Sequence, residues 1–131
     1  GSDHSANGVT ITLNANEAHA FGDVCYINTD GQAQLGDADA IASSVIVVMA
    51  IETISANADG QYLLLGIARD DTWAWTVGGK IYLTTTATSG NTLSQTPPSG
   101  ADDCIVEVGV ATHADRMLFN PTVQAIVEHT G

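Results

Sequence analysis

Positive charge is what this sequence has least of. Arg69, Lys80 and Arg116 are its only Lys or Arg residues, set against fifteen Asp and Glu, for a formal net charge of −12. A surface of that sign repels phosphate backbones and anionic lipid heads, so nucleic acid and membrane are poor partners, whereas cations are attracted. No apolar run approaches the roughly eighteen residues of a membrane helix. Nor does a basic segment followed by an apolar one open the chain, so neither a span nor a signal peptide is read. The opening Gly1-Ser2 reads as a cloning scar or an excised fragment, and residues 1–7 as a flexible or vector-derived tail. The two cysteines, Cys25 and Cys104, fall in different predicted strands at a spacing unlike any zinc signature. They read as buried free thiols, with a cross-barrel disulfide as the alternative.

Motifs of chemistry are also scarce. His4, His19, His113 and His129 sit at no metal-ligand spacing and read as exposed or loop histidines. The acidic loops Asp37-Ala38-Asp39, Asp70-Asp71 and Asp102-Asp103 lack the calcium-loop pattern and read as solvated turns, a weak structural cation being the alternative. There is no G-x-S-x-G elbow, and Gly78-Gly79-Lys80 lacks the phosphate-loop spacing. Among fifteen acids some pair of carboxylates always lies close, so proximity alone does not indicate glycoside hydrolysis. The expectation is a protein that is not an enzyme and carries no cofactor and no metal.

What is abundant is strand and turn chemistry. Thirteen glycines, many Thr and Ala, and a hydrophobic share of 44% suit one all-β domain spanning residues 1–131, a compact barrel or sandwich. Val9, Ile11 and Leu13 alternate with Thr10, Thr12 and Asn14, the period of a strand with one wet face. Phe21 to Asn28 is the next predicted strand, closed by the hairpin signal Asp30-Gly31. Val77 to Thr86 repeats its character, with a Gly-containing opening and a central tyrosine, Tyr26 in one and Tyr82 in the other. Each is followed by a turn and a short Leu-containing strand, Gln32 to Leu35 or Asn91 to Thr96. A long apolar strand comes next, Ser44 to Thr53 or Asp103 to Thr112, then a further apolar segment, Tyr62 to Ala68 or Met117 to Phe119. This is the pattern of an approximate tandem half-repeat. Val123, Ala125 and Val127 form a predicted last strand.

Two of these strands do not alternate. Val45 to Ile51 and Tyr62 to Ala68 are nearly continuous apolar runs, which requires cover on both faces. In a small β domain the second cover is often another subunit. Val45, Val47, Met49, Ile51, Leu63 and Leu65 are therefore the expected interface of a homo-oligomer. Trp73 and Trp75 lie on one face if their segment is extended. They either fill the core or an interface, or stack on a sugar ring, with Asp70, Asp71 and Asn91 as candidates to bind its hydroxyls.

Gly78-Gly79-Lys80-Ile81-Tyr82-Leu83-Thr84-Thr85-Thr86, then Leu93-Ser94-Gln95-Thr96-Pro97-Pro98-Ser99-Gly100, then Val106-Glu107-Val108-Gly109-Val110-Ala111 and Phe119-Asn120-Pro121 together resemble small β domains of tailed-bacteriophage virion structural proteins. The resemblance implies a trimeric, protease-resistant module on the particle, in contact with other virion proteins. Its role would be host attachment as a tail-fibre or tail-spike module, with a host surface glycan as partner, or else decoration of the capsid. No catalytic residue is carried across. The chain departs from the fibre pattern in lacking heptads, Gly-X-Y repeats and a shaft. A carbohydrate-binding module is the competing class.

Overall fold

The computed structural model describes residues 4–85, 88–101 and 103–121, and residues 127–128 by their backbone. The fold is all-β, with no helix among the described residues. Eleven described strands run in order: β1 (Ser5–Asn14), β2 (Val24–Ile27), β3 (Ala33–Leu35), β4 (Val48–Ala50), β5 (Asp59–Arg69), β6 (Lys80–Leu83), β7 (Leu93–Ser94), β8 (Cys104–Ile105), β9 (Glu107–His113), β10 (Arg116–Phe119) and β11 (Val127–Glu128). One antiparallel sheet follows the path β3-β2-β4-β5-β10-β9-β6-β7, with β1 added to β5, and it curls into a half-barrel. β8 pairs separately with β11.

The path reads the same from either end. In the first half β2 pairs with β3 and β4, and β4 pairs with β5. In the second, β6 pairs with β7 and β9, and β9 pairs with β10. The halves meet at the β5–β10 pairing, where Met117 opposes Ala68 and Phe119 opposes Gly66. β1 occupies one edge of β5 from Asp59 to Arg69. β4 and β10 must therefore lie one after the other along its opposite edge, at Tyr62–Leu63 and at 66–69.

A close crossing accommodates that change of partner. Gly8 and Gly66 are register partners with φ of +156° and +154°. A Cβ on Gly66 would lie 2.2 Å from the Asn7 carbonyl oxygen, so only glycine lets the two backbones approach this closely. The register shifts immediately afterwards, between Val9 and Thr10, where the ribbon takes its extra twist.

Several boundaries differ from the sequence expectation. Ser5 to Asn7 belong to β1, paired with Ile67 to Arg69, rather than to a flexible tail. Only Val48–Ala50 of the Val45 to Ile51 run joins the sheet. Ile46 N–H turns back to the Ser44 carbonyl instead, and the Ser44 hydroxyl closes the preceding loop on the Asp37 and Ala40 carbonyls. The predicted strand over Asp103 to Thr112 breaks at Val106, whose carbonyl accepts a hydrogen bond from Leu83 N–H. Thr86, Asp102, Val123, Ala125 and His129 lie outside the described residues.

The larger correction concerns what covers the apolar runs. Two buried clusters lie against the curled sheet. One holds Met49, Leu63, Ile81, Leu83, Met117 and Phe119; the other holds Cys25, Val48, Ala50 and Tyr62. Consecutive residues of β4 and β5 thus enter different clusters, which is why these strands show no alternation. Met49 and Leu63, expected at a subunit interface, are fully buried by the chain itself. Val45, Val47 and Ile51 are half-buried, and of the six only Leu65 is exposed, at 45%. Cys25 and Cys104 are free and buried, in agreement with the preferred expectation.

Candidate functional site

The segment joining the two halves carries both indoles. Asp70 closes it as an Asx turn: its Oδ1 accepts hydrogen bonds from the Thr72 N–H at 2.9 Å and the Thr72 hydroxyl at 2.7 Å. Trp73 N–H donates to the Asp70 carbonyl. The connector is pinned to the β9–β10 hairpin by Asp70 N–H to the Asp115 carbonyl, 3.0 Å, and by Trp75 N–H to the Ala114 carbonyl, 2.9 Å. Ala74 and Thr76 face solvent while Trp73 and Trp75 pack against the first core cluster, so both indoles lie on the inner side.

The rings form a continuous line. The Trp73 and Trp75 centroids are 5.4 Å apart at 44°, and Phe21 lies 6.3 Å from Trp73 at 42°. His4 stacks on the far side of Phe21, at 5.0 Å and 21°. Its Nε2 is 3.4 Å from Asp70 Oδ2, which ties β1 to the connector. Gly22 makes room for this line: a Cβ there would meet the Trp73 ring at 3.1 Å, and its φ of +91° suits glycine.

Asp23 fixes the opposite wall. Its carboxylate is 1% exposed and accepts hydrogen bonds from Ala20 N–H, the Ser89 hydroxyl and Gly90 N–H, at 2.9, 2.7 and 2.7 Å. Val24 N–H donates to Thr92 Oγ1 at 3.1 Å. These bonds hold the 88–92 loop of the second half onto the start of β2. Between that loop, the Ala20–Asp23 turn and the connector lies a cleft of about 410 Å³. Phe21, Trp73 and Trp75 line it with Asp23 and Asp70, and no Lys or Arg does. The indole Nε1–H of Trp75 is buried with no hydrogen-bond partner.

Of the five residues singled out for binding, Trp73, Trp75 and Asp70 come together in this cleft. Asp71 turns away to Arg69, with Nε–Oδ1 at 2.9 Å. Asn91 is exposed on the loop outside the lining, and its carbonyl accepts the Thr84 hydroxyl. Sequence reading missed Phe21, Asp23 and His4 as site residues. The available signal was Phe21-Gly22-Asp23 at the head of the first half-repeat, which alternation assigned to the strand itself.

One polar cluster lies elsewhere. His19 lies in the connection between β1 and β2, as a loop histidine would, but at 2% exposure it is buried rather than exposed. Its Nε2 is 2.9 Å from Glu17 Oε2 and its Nδ1 is 2.8 Å from the Tyr62 hydroxyl. A carboxylate oxygen accepts, so Nε2 donates to Glu17, and Nδ1 pairs with the Tyr62 hydroxyl. Cys25 Sγ sits 3.9 Å from the ring. Burial first, then the charges of Asp23 and Glu17, push this thiol's pKa well up, so it is a neutral packing group and not a nucleophile. No group of three or more His, Cys, Asp or Glu able to hold a metal ion occurs among the described residues. No protein-family model matches the chain, and neither does any curated protein.

Proposed function

We propose that this chain is a non-enzymatic binding module of a tailed-phage virion, an attachment domain whose aromatic cleft takes a surface glycan of the host. The observation that carries the reading is the line of Phe21, Trp73 and Trp75 along one cleft, beside the fixed carboxylate of Asp70. Ring faces take the C–H faces of a sugar. Asp70 already has its carboxylate held by Thr72, so it meets a ligand without further ordering.

The virion assignment rests on the resemblance over Gly78 to Pro121. An attachment module is favoured over capsid decoration because the cleft is assembled from both halves and from His4, the residue before β1. Assembly with identical copies belongs to the same proposal, and its seat is the exposed β1 edge, since Met49 and Leu63 of the runs first expected at the interface are enclosed.

Titration of intrinsic tryptophan fluorescence with bacterial surface oligosaccharides tests the reading. Saturable change is expected in the parent, and Trp73→Ala weakens it about five- to tenfold, in line with loss of one stacked ring of about 1–1.5 kcal/mol. Binding by the variant equal to the parent removes the cleft from the proposal.

A further inference from the structure

We infer that the group this cleft recognises is an alkylammonium cation, seated against Asp70 and the faces of Phe21, Trp73 and Trp75. The inference rests on the reading of the cleft as the ligand site and names the charge of what enters it. Two carboxylates, Asp23 and Asp70, line the cleft at 1% and 7% exposure, with no Lys or Arg among the lining residues. The basic residues are engaged elsewhere: Arg69 with Asp71 and Asp115, Lys80 with Glu107, Arg116 with Asp115. A walled space with two negative charges and a net protein charge of −12 concentrates cations.

The rings agree with the charge. Successive planes are tilted by 42° and 44°, so the three faces do not make one flat platform. A compact cation within about 6 Å of ring centroids is attracted by the negative faces, more strongly where water is excluded. The chain's own His4 illustrates the arrangement: its ring lies flat on Phe21 and a ring nitrogen points to Asp70 at 3.4 Å, while the side chain remains 54% exposed. An incoming ammonium group makes the same two contacts, and its C–H groups are the part that meets the indoles.

A protonated amino sugar and a quaternary ammonium headgroup share this chemistry, and paired titrations separate them. Glucosamine is compared with N-acetylglucosamine, and choline with its neutral isostere 3,3-dimethyl-1-butanol, each followed by tryptophan fluorescence and by NMR shifts of the Trp73 and Trp75 indole N–H signals. At least one cation is expected to bind about tenfold more tightly than its neutral partner. Asp70→Asn, which keeps an acceptor for Thr72, is expected to erase that preference, and His4→Ala to tighten the cation severalfold. Should Asp70→Asn not fold, ionic strength replaces it: rising salt weakens the cation and leaves the neutral partner unchanged. Equal affinity of charged and neutral partners, or a preference that survives both Asp70→Asn and salt, overturns the inference. Neutral oligosaccharide binding at the cleft would in that case leave the glycan reading standing. Absence of binding by every probe overturns both.

Discussion

Cys25 and Tyr62 show how a buried residue converts its surroundings into a pH response. Burial is the first cause that raises both pKa values, and nearby acidic groups, Asp23 and Glu17 among them, raise them further. In the unfolded chain the thiol loses its proton near 9.0 and the phenol near 10.0. The folded chain keeps both protons beyond those values. Above pH 9 the unfolded state therefore binds fewer protons than the folded one, and stability falls as pH rises, by up to about 1.4 kcal/mol per pH unit for each group. Below pH 9 neither group contributes a slope. Melts followed by circular dichroism from pH 7 to 10.5 should show the decline starting near pH 9 in the parent. Cys25→Ala should delay the onset to about pH 10, where Tyr62 and Tyr26, both raised by burial first, act; an unchanged slope between pH 9 and 10 would mean that the thiol is not its source.

At the scale of elements, the β1–β5 ribbon decides whether one strand can serve two halves. Gly66 stands where β5 exchanges β4 for β10, and its φ of +154° and the Asn7 carbonyl both exclude a side chain. Gly66→Ala should cost about 2–4 kcal/mol, strain and clash together, read from the midpoint of urea unfolding. Gly31→Ala is the control, because φ there is +79° with nothing near the added Cβ, and about 1–2 kcal/mol is expected from strain alone. Equal losses at both sites would mean that the crossing relaxes freely. Much of this frame was legible beforehand. The recurrence of a tyrosine strand, a short Leu strand and an apolar strand becomes the matched pairings β3-β2-β4-β5 and β7-β6-β9-β10. The alternation of Val9 to Asn14 becomes β1, and the two indoles do share a side. What could not be read was which chain covers a continuous apolar run. Periodicity reports burial on two faces and is blind to whether Met49 and Leu63 are covered by their own sheet or by a copy. It is equally blind to Phe21, Asp23 and His4, which reach Trp73 and Asp70 only through pairings distant in sequence.

At the scale of the whole molecule, the open edge of β1 is the feature most in need of a partner. Ser5 to Asn14 contains no charged residue in a chain of net charge −12. It pairs with β5 on one side, and among the described residues no strand pairs with its other side. Val9 is 57% and Ile11 38% exposed, next to Leu65. Natural edges are usually guarded by lysine, proline or shortness, and β3 and β7 at the ends of the sheet path are indeed only three and two residues long. β1 has none of these three guards, and apart from the register shift between Val9 and Thr10 it runs for ten residues, so copies of this chain are expected to meet along it. An identical-edge pairing is two-fold, whereas pairing β1 with a different edge of the neighbour can close a trimer. Light scattering should therefore give the parent two or three times the 13.5 kDa of one chain. Val9→Lys with Ile11→Lys should return it to a single chain, because a charge on each repels a mating strand. These side chains are exposed, so the melting temperature of the separated chain should change little. A parent that stays at one chain mass at high concentration, or a double variant that assembles as the parent does, would remove β1 as the seam and with it the physical ground for assembly.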